Sequence, residues 1–263
     1  MTSPQLNPSM ARLLDVLDPD AVVSELYGDR GSEVYDAMTR GDGSEVREVL
    51  RIGRHAPGRI LELACGSGRL TLPLARLGRE TVALDSSPRM LEMLAETASR
   101  IGLDTIHPVC ADMSAFELDG LFGVIVLATT SITLLSASQR RAMLLAVRAH
   151  LAPDGVFVVS VHSTGAYPIG ETTQLVSVPG MESDVYLLHE QVGAGADHRD
   201  VSVLHMQRRG SSQMTEAFVS RVELLDEAQL RGELDAAGLQ VRASTSVRLT
   251  DASRNLSMLE CVR

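Results

Sequence analysis

The stretch from Ile60 to Leu70, Ile-Leu-Glu-Leu-Ala-Cys-Gly-Ser-Gly-Arg-Leu, constrains this chain more than any other. An apolar run of the length of one buried strand breaks at Gly66-Ser67-Gly68 and gives way to an amphipathic segment. Glycines let the backbone pass close to a ligand, within reach of the N-terminus of the helix that follows. About 20 residues beyond the turn, Asp85 ends the next apolar run, where a carboxylate can accept from both hydroxyls of a ribose. The alternative is an ordinary strand-to-helix turn; the order strand, glycine turn, helix, acidic strand end points instead to a nucleotide site.

The rest of the chain supplies the sheet that such a turn needs. From about Arg59 short apolar runs alternate with amphipathic segments, which is the pattern of βαβ units. The spacing predicts strands over 59–64, 81–84, 105–109, 122–128 and 155–161. Helices are expected over 68–77, from Ser86-Ser87-Pro88 to near Gly102, and over 138–151. After Val161 four strand-like pieces, 172–178, 184–190, 201–207 and 214–222, follow one another without helices, as in a small antiparallel sheet. A helix over 226–237 and strands over 239–248 and 255–262 resume the first pattern.

The expected fold is therefore α/β, a Rossmann-like doubly wound and mostly parallel sheet of seven strands with an antiparallel lid or substrate insertion. In this reading residues 1–58 are an N-terminal helical cap, 59–162 the nucleotide-binding core, 163–222 the insertion and 223–263 the completion of the core sheet. Ala11 to Leu26 has the apolar spacing of one helix.

Composition removes several function classes. A formal charge of −10 argues against a surface that neutralises phosphates, so nucleic acid is not an expected partner. All 24 basic residues are arginine, which excludes Schiff-base and P-loop lysine chemistry. Cys65, Cys110 and Cys261 are far apart and show neither disulfide nor zinc spacing; a reducing, cytoplasmic compartment is expected. The first ten residues lack a basic region followed by an apolar core, and the run from Gly123 to Leu135 is too short and too rich in hydroxyls to span a bilayer, so neither export nor a membrane is expected.

Two ligands fit the glycine turn, a dinucleotide and S-adenosylmethionine. The dinucleotide fingerprint requires a third glycine, but Thr71 stands three residues after Gly68. Past the third strand, Asp112 offers an acceptor for an adenine amino group and Met113 a side chain to cover the ring. Through ELACGSG, ALDSSPRML, CADMSAF and FGVIVLATTSI, the chain from about residue 25 to 262 resembles the class I S-adenosylmethionine-dependent methyltransferases. The resemblance implies that Glu62, Ala64, Gly66 and Gly68 line the cofactor and that Asp85 and Ser86 meet its ribose. It places Asp112 and Met113 at the adenine, and Ala128 and Thr129 at the sulfonium end. Tyr27 and Tyr35, ahead of the first motif, become candidates for its methionine part.

A finer resemblance, in ELYGDRGSEVYD, GRLTLPLARLG, ADMSAF, YLLHE and VSVLHM, is to actinobacterial natural-product N-methyltransferases. These are the kinds that act on glycopeptides and on the amino terminus of daptide-type ribosomal peptides. One position departs from the glycopeptide enzymes, Thr133, where a polar amide is expected. The implied reaction is methylation, up to dimethylation, of an amine on a peptide or small molecule. O-methylation of a small alcohol and cofactor binding without transfer are the alternatives. A peptide α-amine, with a pKa of about 7.7–8.0, needs no strong base. His162, His189 and His205 are the candidate base or orienting residues, with Tyr167 and Glu190 nearby in sequence. No acidic cluster suggests a metal, and the oligomeric state is left open.

Overall fold

The structure, a computed structural model, describes residues 6–163, 167–181, 183–209, 212–249 and 255–263. It divides into two units, one from the segments up to Gly41 and from Tyr167 to Leu224, the other from Asp42–Ala166 and Leu225–Arg263. In chain order, the first unit opens with α1 (Pro8–Leu17), β1 (Val22–Glu25) and α2 (Asp29–Thr39). The second continues with α3 (Val46–His55), β2 (Ile60–Leu63), α4 (Thr71–Ala75), β3 (Thr81–Asp85) and α5 (Pro88–Arg100). Then come β4 (Ile106–Cys110), β5 (Phe122–Leu127), a 3₁₀ turn at Ser131–Leu134, α6 (Ala137–His150) and β6 (Leu151–His162). The first unit is completed by β7 (Gly170–Val176), β8 (Asp184–Val192), β9 (His198–Arg209) and β10 (Ser212–Glu223). The chain ends in the second unit with α7 (Glu227–Ala236), β11 (Gln240–Arg248) and β12 (Asn255–Val262).

The sheet of the second unit has the order β11-β12-β6-β5-β2-β3-β4, parallel except at β12, which runs antiparallel to both neighbours. β2 is parallel to β3 on one side and β5 on the other, so the strand order reverses about it, and ligands of such sheets bind outside the carboxyl ends at that reversal. Alternation distributes its side chains to two faces. Leu61, Leu63, Ile125, Leu127, Phe157 and Val159 pack with Met143, Leu144 and Val147 of α6 and Leu230 and Leu234 of α7. Ile60, Val124, Val126, Val156 and Val158 pack with Val49 and Ile52 of α3 and with Leu70 and Leu74. Each such burial is worth roughly 1.5–3 kcal/mol relative to exposure, which keeps β2 and β5 in register under the site. Arg140, buried in α6, donates from Nε and Nη2 to the two carboxylate oxygens of Glu233 in α7, both at 2.8 Å, and from Nη1 to the Leu135 carbonyl.

In the first unit the strand order is β1-β10-β9-β8-β7, antiparallel apart from β1, which runs parallel to β10. The helix expected from Ala11 to Leu26 is cut in two parts. Asp18 precedes Pro19 and is held extended (φ −163°, ψ 91°), so α1 stops at Leu17 and Val22–Glu25 turns to the sheet instead. The N-terminal segment thus closes the sheet of the insertion, and α3 is a helix that the sequence pattern did not mark. The helix expected from Gly68 begins only at Thr71, because Gly68 has φ +97°. Among the described residues no helix is long and apolar enough to cross a membrane.

Candidate active site

All of the glycine turn lies in the second unit. Ala64, Gly66 and Gly68 have φ of +51°, +55° and +97°, a tight path that carries the chain from β2 across the edge of the sheet. At Gly68 a Cβ would come within 2.4 Å of Leu94 Cδ1, a buried side chain of α5, so this turn lies close against the helix that follows β3. Asp85, the last residue of β3, faces it: Oδ2 accepts the Gly66 N–H at 2.7 Å and Oδ1 the Ser87 N–H at 2.9 Å. Burial pushes the Asp85 carboxyl up, and the amides of Ser87, Gly66 and Ser86 work to hold it down. Each oxygen has a second lone pair, so the group can still accept a pair of ribose hydroxyls, and this acceptor pair fits S-adenosylmethionine. Ser86 is exposed, and Ser87 is the residue that caps α5, accepting from the Met90 N–H.

Glu62, inside β2, accepts from the Thr71 hydroxyl at 2.6 Å. Burial raises its carboxyl to about 8, opposed by the Thr71 hydrogen bond and Arg69 and reinforced by Asp85 and Glu45. A carboxyl whose pKa is raised in the folded state binds more protons folded than unfolded, so its contribution to stability is lost as pH climbs from its ordinary range through 8. Glu62→Gln keeps an acceptor for Thr71 and cannot ionise. The variant is expected to gain on the parent by a few kcal/mol between pH 5 and 8, at ~1.4 kcal/mol per pH unit, and to match it near pH 5. Melting temperatures across that range check this; a gap independent of pH would contradict it.

After β4, Asp112 is exposed, with Oδ1 accepting the Ser114 N–H at 2.7 Å and its carbonyl the Ala115 N–H. This is the local turn that an aspartate makes by itself, and it presents the remaining oxygen at the end of β4. Met113 is half-buried against the core. At the end of β5, Ala128 is buried, and Thr129 and Thr130 both have positive φ, +57° and +58°. Sequence reasoning missed the group that meets this turn: Glu45, whose carboxylate accepts the Thr129 N–H at 3.0 and 3.2 Å and pairs with Arg69 at 3.3 Å. No motif marks Glu45; in Gly-Asp-Gly-Ser-Glu-Val it reads as a solvated loop acid, yet it is 1% exposed. Thr133, the position of the expected amide, is buried and donates to the Thr130 carbonyl at 2.7 Å, which makes it part of the turn's support.

His162 ends β6, beside β5, and is buried. The other two histidines and both tyrosines belong to the first unit. His205 lies between Asp184 (Nε2 to Oδ2, 3.0 Å) and Glu216 (Nδ1 to Oε2, 3.2 Å) and stacks on Tyr186, so neither nitrogen is open to a substrate proton. Asn7 accepts the Met10 N–H through Oδ1, so its amide nitrogen donates to His189 Nε2; His189 Nδ1 meets the Thr173 hydroxyl at 2.8 Å. Burial lowers the His189 pKa, in keeping with a neutral ring in that setting. Tyr27 and Tyr35 pack edge to face with centroids 5.2 Å apart. Arg199 lies over the Tyr167 ring at 4.7 Å and pairs with Glu190.

Comparison with known proteins agrees with this geometry. Residues 60–155, from β2 through β5 to the start of β6, match the methyltransferase domain family. Over 221 residues the chain is 25% identical to the cypemycin N-terminal methyltransferase of a Streptomyces species, spanning 82% of this chain and 87% of that protein. A 60-residue stretch is 42% identical to a 23S rRNA uracil methyltransferase of Shewanella amazonensis, but spans only 14% of that protein. Among solved structures, the CcbJ methyltransferase of Streptomyces caelestis superposes with a TM-score of 0.76 at 25% identity, over 90% of this chain and 98% of that one. The glycopeptide N-methyltransferase MtfA bound to S-adenosylhomocysteine gives 0.66 at 27% identity, over 98% and 99%. The reversal of strand order at β2, the turn at Gly66 and Gly68, the carboxylate of Asp85 and these likenesses together support a class I S-adenosylmethionine-dependent methyltransferase.

Proposed function

We propose that this enzyme methylates an amine, once or twice, and that its acceptor is the terminal amine of a peptide or the amine of a small natural product. The observation that carries this reading is a likeness that extends well beyond the cofactor motifs. A cypemycin N-terminal methyltransferase and a glycopeptide N-methyltransferase are similar over most of both chains, the second of them over 98% of this chain and so across the antiparallel insertion. S-adenosylmethionine supplies an electrophilic methyl group on a sulfonium. What remains for the chain is to hold cofactor and amine in line, and such positioning can supply roughly 7–11 kcal/mol of the barrier.

In this proposal Asp85, with Ser86 beside it, holds the ribose, Gly66 and Gly68 give the cofactor access to the backbone, and Glu62 and Ala64 form the floor next to them. Asp112 and Met113 take the adenine, and Ala128 and Thr129 border the methyl group. His162 orients the amine or takes its proton. Of the three histidines it is the one that belongs to the unit of the glycine turn, at the end of β6. His162→Ala is expected to lower turnover about 10- to 100-fold with cofactor affinity within about twofold of the parent, in the range of general acid–base effects. A turnover equal to the parent's would reassign His162 to packing.

The proposed reaction is tested by intact-mass analysis of a peptide with a free α-amine after incubation with the protein and S-adenosylmethionine, beside the same peptide acetylated at that amine. Gain of one or two methyl groups on the free peptide alone is the expected result. Methylation of both peptides, or of hydroxylated small molecules in their place, would overturn the terminal-amine assignment.

A further inference from the structure

We propose that Glu45 is a positioning residue for catalysis: it clamps the left-handed turn after β5 to the glycine turn after β2 and so sets the spacing of two walls of the cofactor site. This rests on the cofactor reading above and concerns the second unit alone. Thr129 and Thr130 are consecutive β-branched residues with φ near +57°, where such residues are outliers because the branched Cβ crowds the backbone. Glycine would take the same path freely. A chain that keeps threonine at both positions must impose the conformation from outside.

The imposing groups are identifiable. Both oxygens of Glu45 accept the Thr129 N–H, at 3.0 and 3.2 Å, across 84 residues of sequence. The Ser160 hydroxyl of β6 accepts the Thr130 N–H at 3.3 Å, and the Thr130 carbonyl accepts both the amide and the hydroxyl of Thr133. Glu45 stands at the N-cap of α3, where a polar side chain ordinarily satisfies its own helix, yet it makes no capping bond there. Its second partner is Arg69, the residue directly after Gly68, whose Nη2 lies 3.3 Å from Glu45 Oε2 and whose Nη1 donates to the Asp42 carbonyl at 2.7 Å. One buried carboxylate therefore joins the residue after the glycine turn to the residue at the methyl-transfer end. A charge so deeply buried holds its partners firmly, since leaving either unpaired is costly.

The test is a double-mutant cycle read by calorimetric titration with S-adenosylmethionine, with melting temperatures measured alongside. Glu45→Gln keeps the size and one carbonyl oxygen but loses the second acceptor and the ion pair. It is expected to bind at least tenfold more weakly than the parent and to melt lower, as the loss of a buried partner of Arg69 requires, while remaining folded. In a Thr129→Gly background, where glycine takes φ +57° unaided, the same substitution is expected to cost less than threefold. Affinity of Glu45→Gln within threefold of the parent, or a tenfold loss that persists beside Gly at 129, would overturn the proposal. If Glu45→Gln alone does not fold, the proposal requires that Thr129→Gly restore it, and failure of that rescue overturns it equally. A parent protein that binds no S-adenosylmethionine would overturn the cofactor reading itself, which distinguishes that failure from failure of the clamp.

Discussion

Asp85→Ala is expected to raise the dissociation constant for S-adenosylmethionine at least about a hundredfold and to leave a folded protein. Hydrogen bonds to a charged acceptor contribute ~1.5–3 kcal/mol each, and the loss of the two ribose contacts proposed for it corresponds to two orders of magnitude or more in affinity. The same substitution releases the Gly66 and Ser87 amides, which now end on Oδ2 and Oδ1, so the turn that should meet the ligand loosens as the contact disappears. Asp85 is partly exposed, water can take those amides, and the fall in melting temperature should be modest. Asp85→Asn keeps one oxygen and should lie between alanine and the parent. Calorimetric titration checks the series, and an unchanged affinity for Asp85→Ala would remove Asp85 from the site.

The largest expected effect on stability is at Gly123, in β5. A Cβ there would lie 1.5 Å from the Pro57 carbonyl oxygen and 2.6 Å from its carbon. These are backbone atoms of the segment leading into β2, so no change of rotamer relieves the overlap, and Gly123 itself donates to the Arg59 carbonyl at 2.9 Å. Gly123→Ala is expected to cost more than about 4 kcal/mol or to prevent folding, in the range reserved for severe overpacking. Gly232 is the matched contrast: inside α7, with nothing within 4 Å of a Cβ, its replacement by alanine should stabilise by up to ~1 kcal/mol. Urea unfolding of both variants decides. A midpoint for Gly123→Ala equal to the parent's would mean that Pro57 does not cross at that point.

Much of the site was legible because its signals are local. The turn at Gly66 and Gly68, the acid at the end of β3 and the cap at Ser87 each depend on residues within a few positions of one another, and all of them form as the spacing predicts. Asp112 likewise makes the short-range turn natural to its side chain. Glu45 was not legible, since its partners are Thr129 and Arg69, and nothing in the neighbourhood of an acid in a glycine-rich loop announces that it will be buried. His205 and His189 were read as candidates from residue type and from their place in the insertion. The carboxylates and the amide that occupy them come from other strands and from the residue preceding α1. Gly123 reads in sequence as part of an apolar strand, and only the crossing of Pro57 gives it a reason to be glycine.

By itself the sequence determined the order of strands and helices from β2 onward, the place of the glycine turn, and the carboxylate that faces it. Period-two and period-3.6 burial, glycine punctuation and helix capping are written within one or two turns of chain. Only the tertiary structure decided that Val22–Glu25 closes the sheet of the insertion, that Arg140 finds Glu233, and that Glu45 holds Thr129. Those pairings join segments far apart in sequence, and their energy depends on burial that exists only once the sheets have assembled, so no local pattern encodes them.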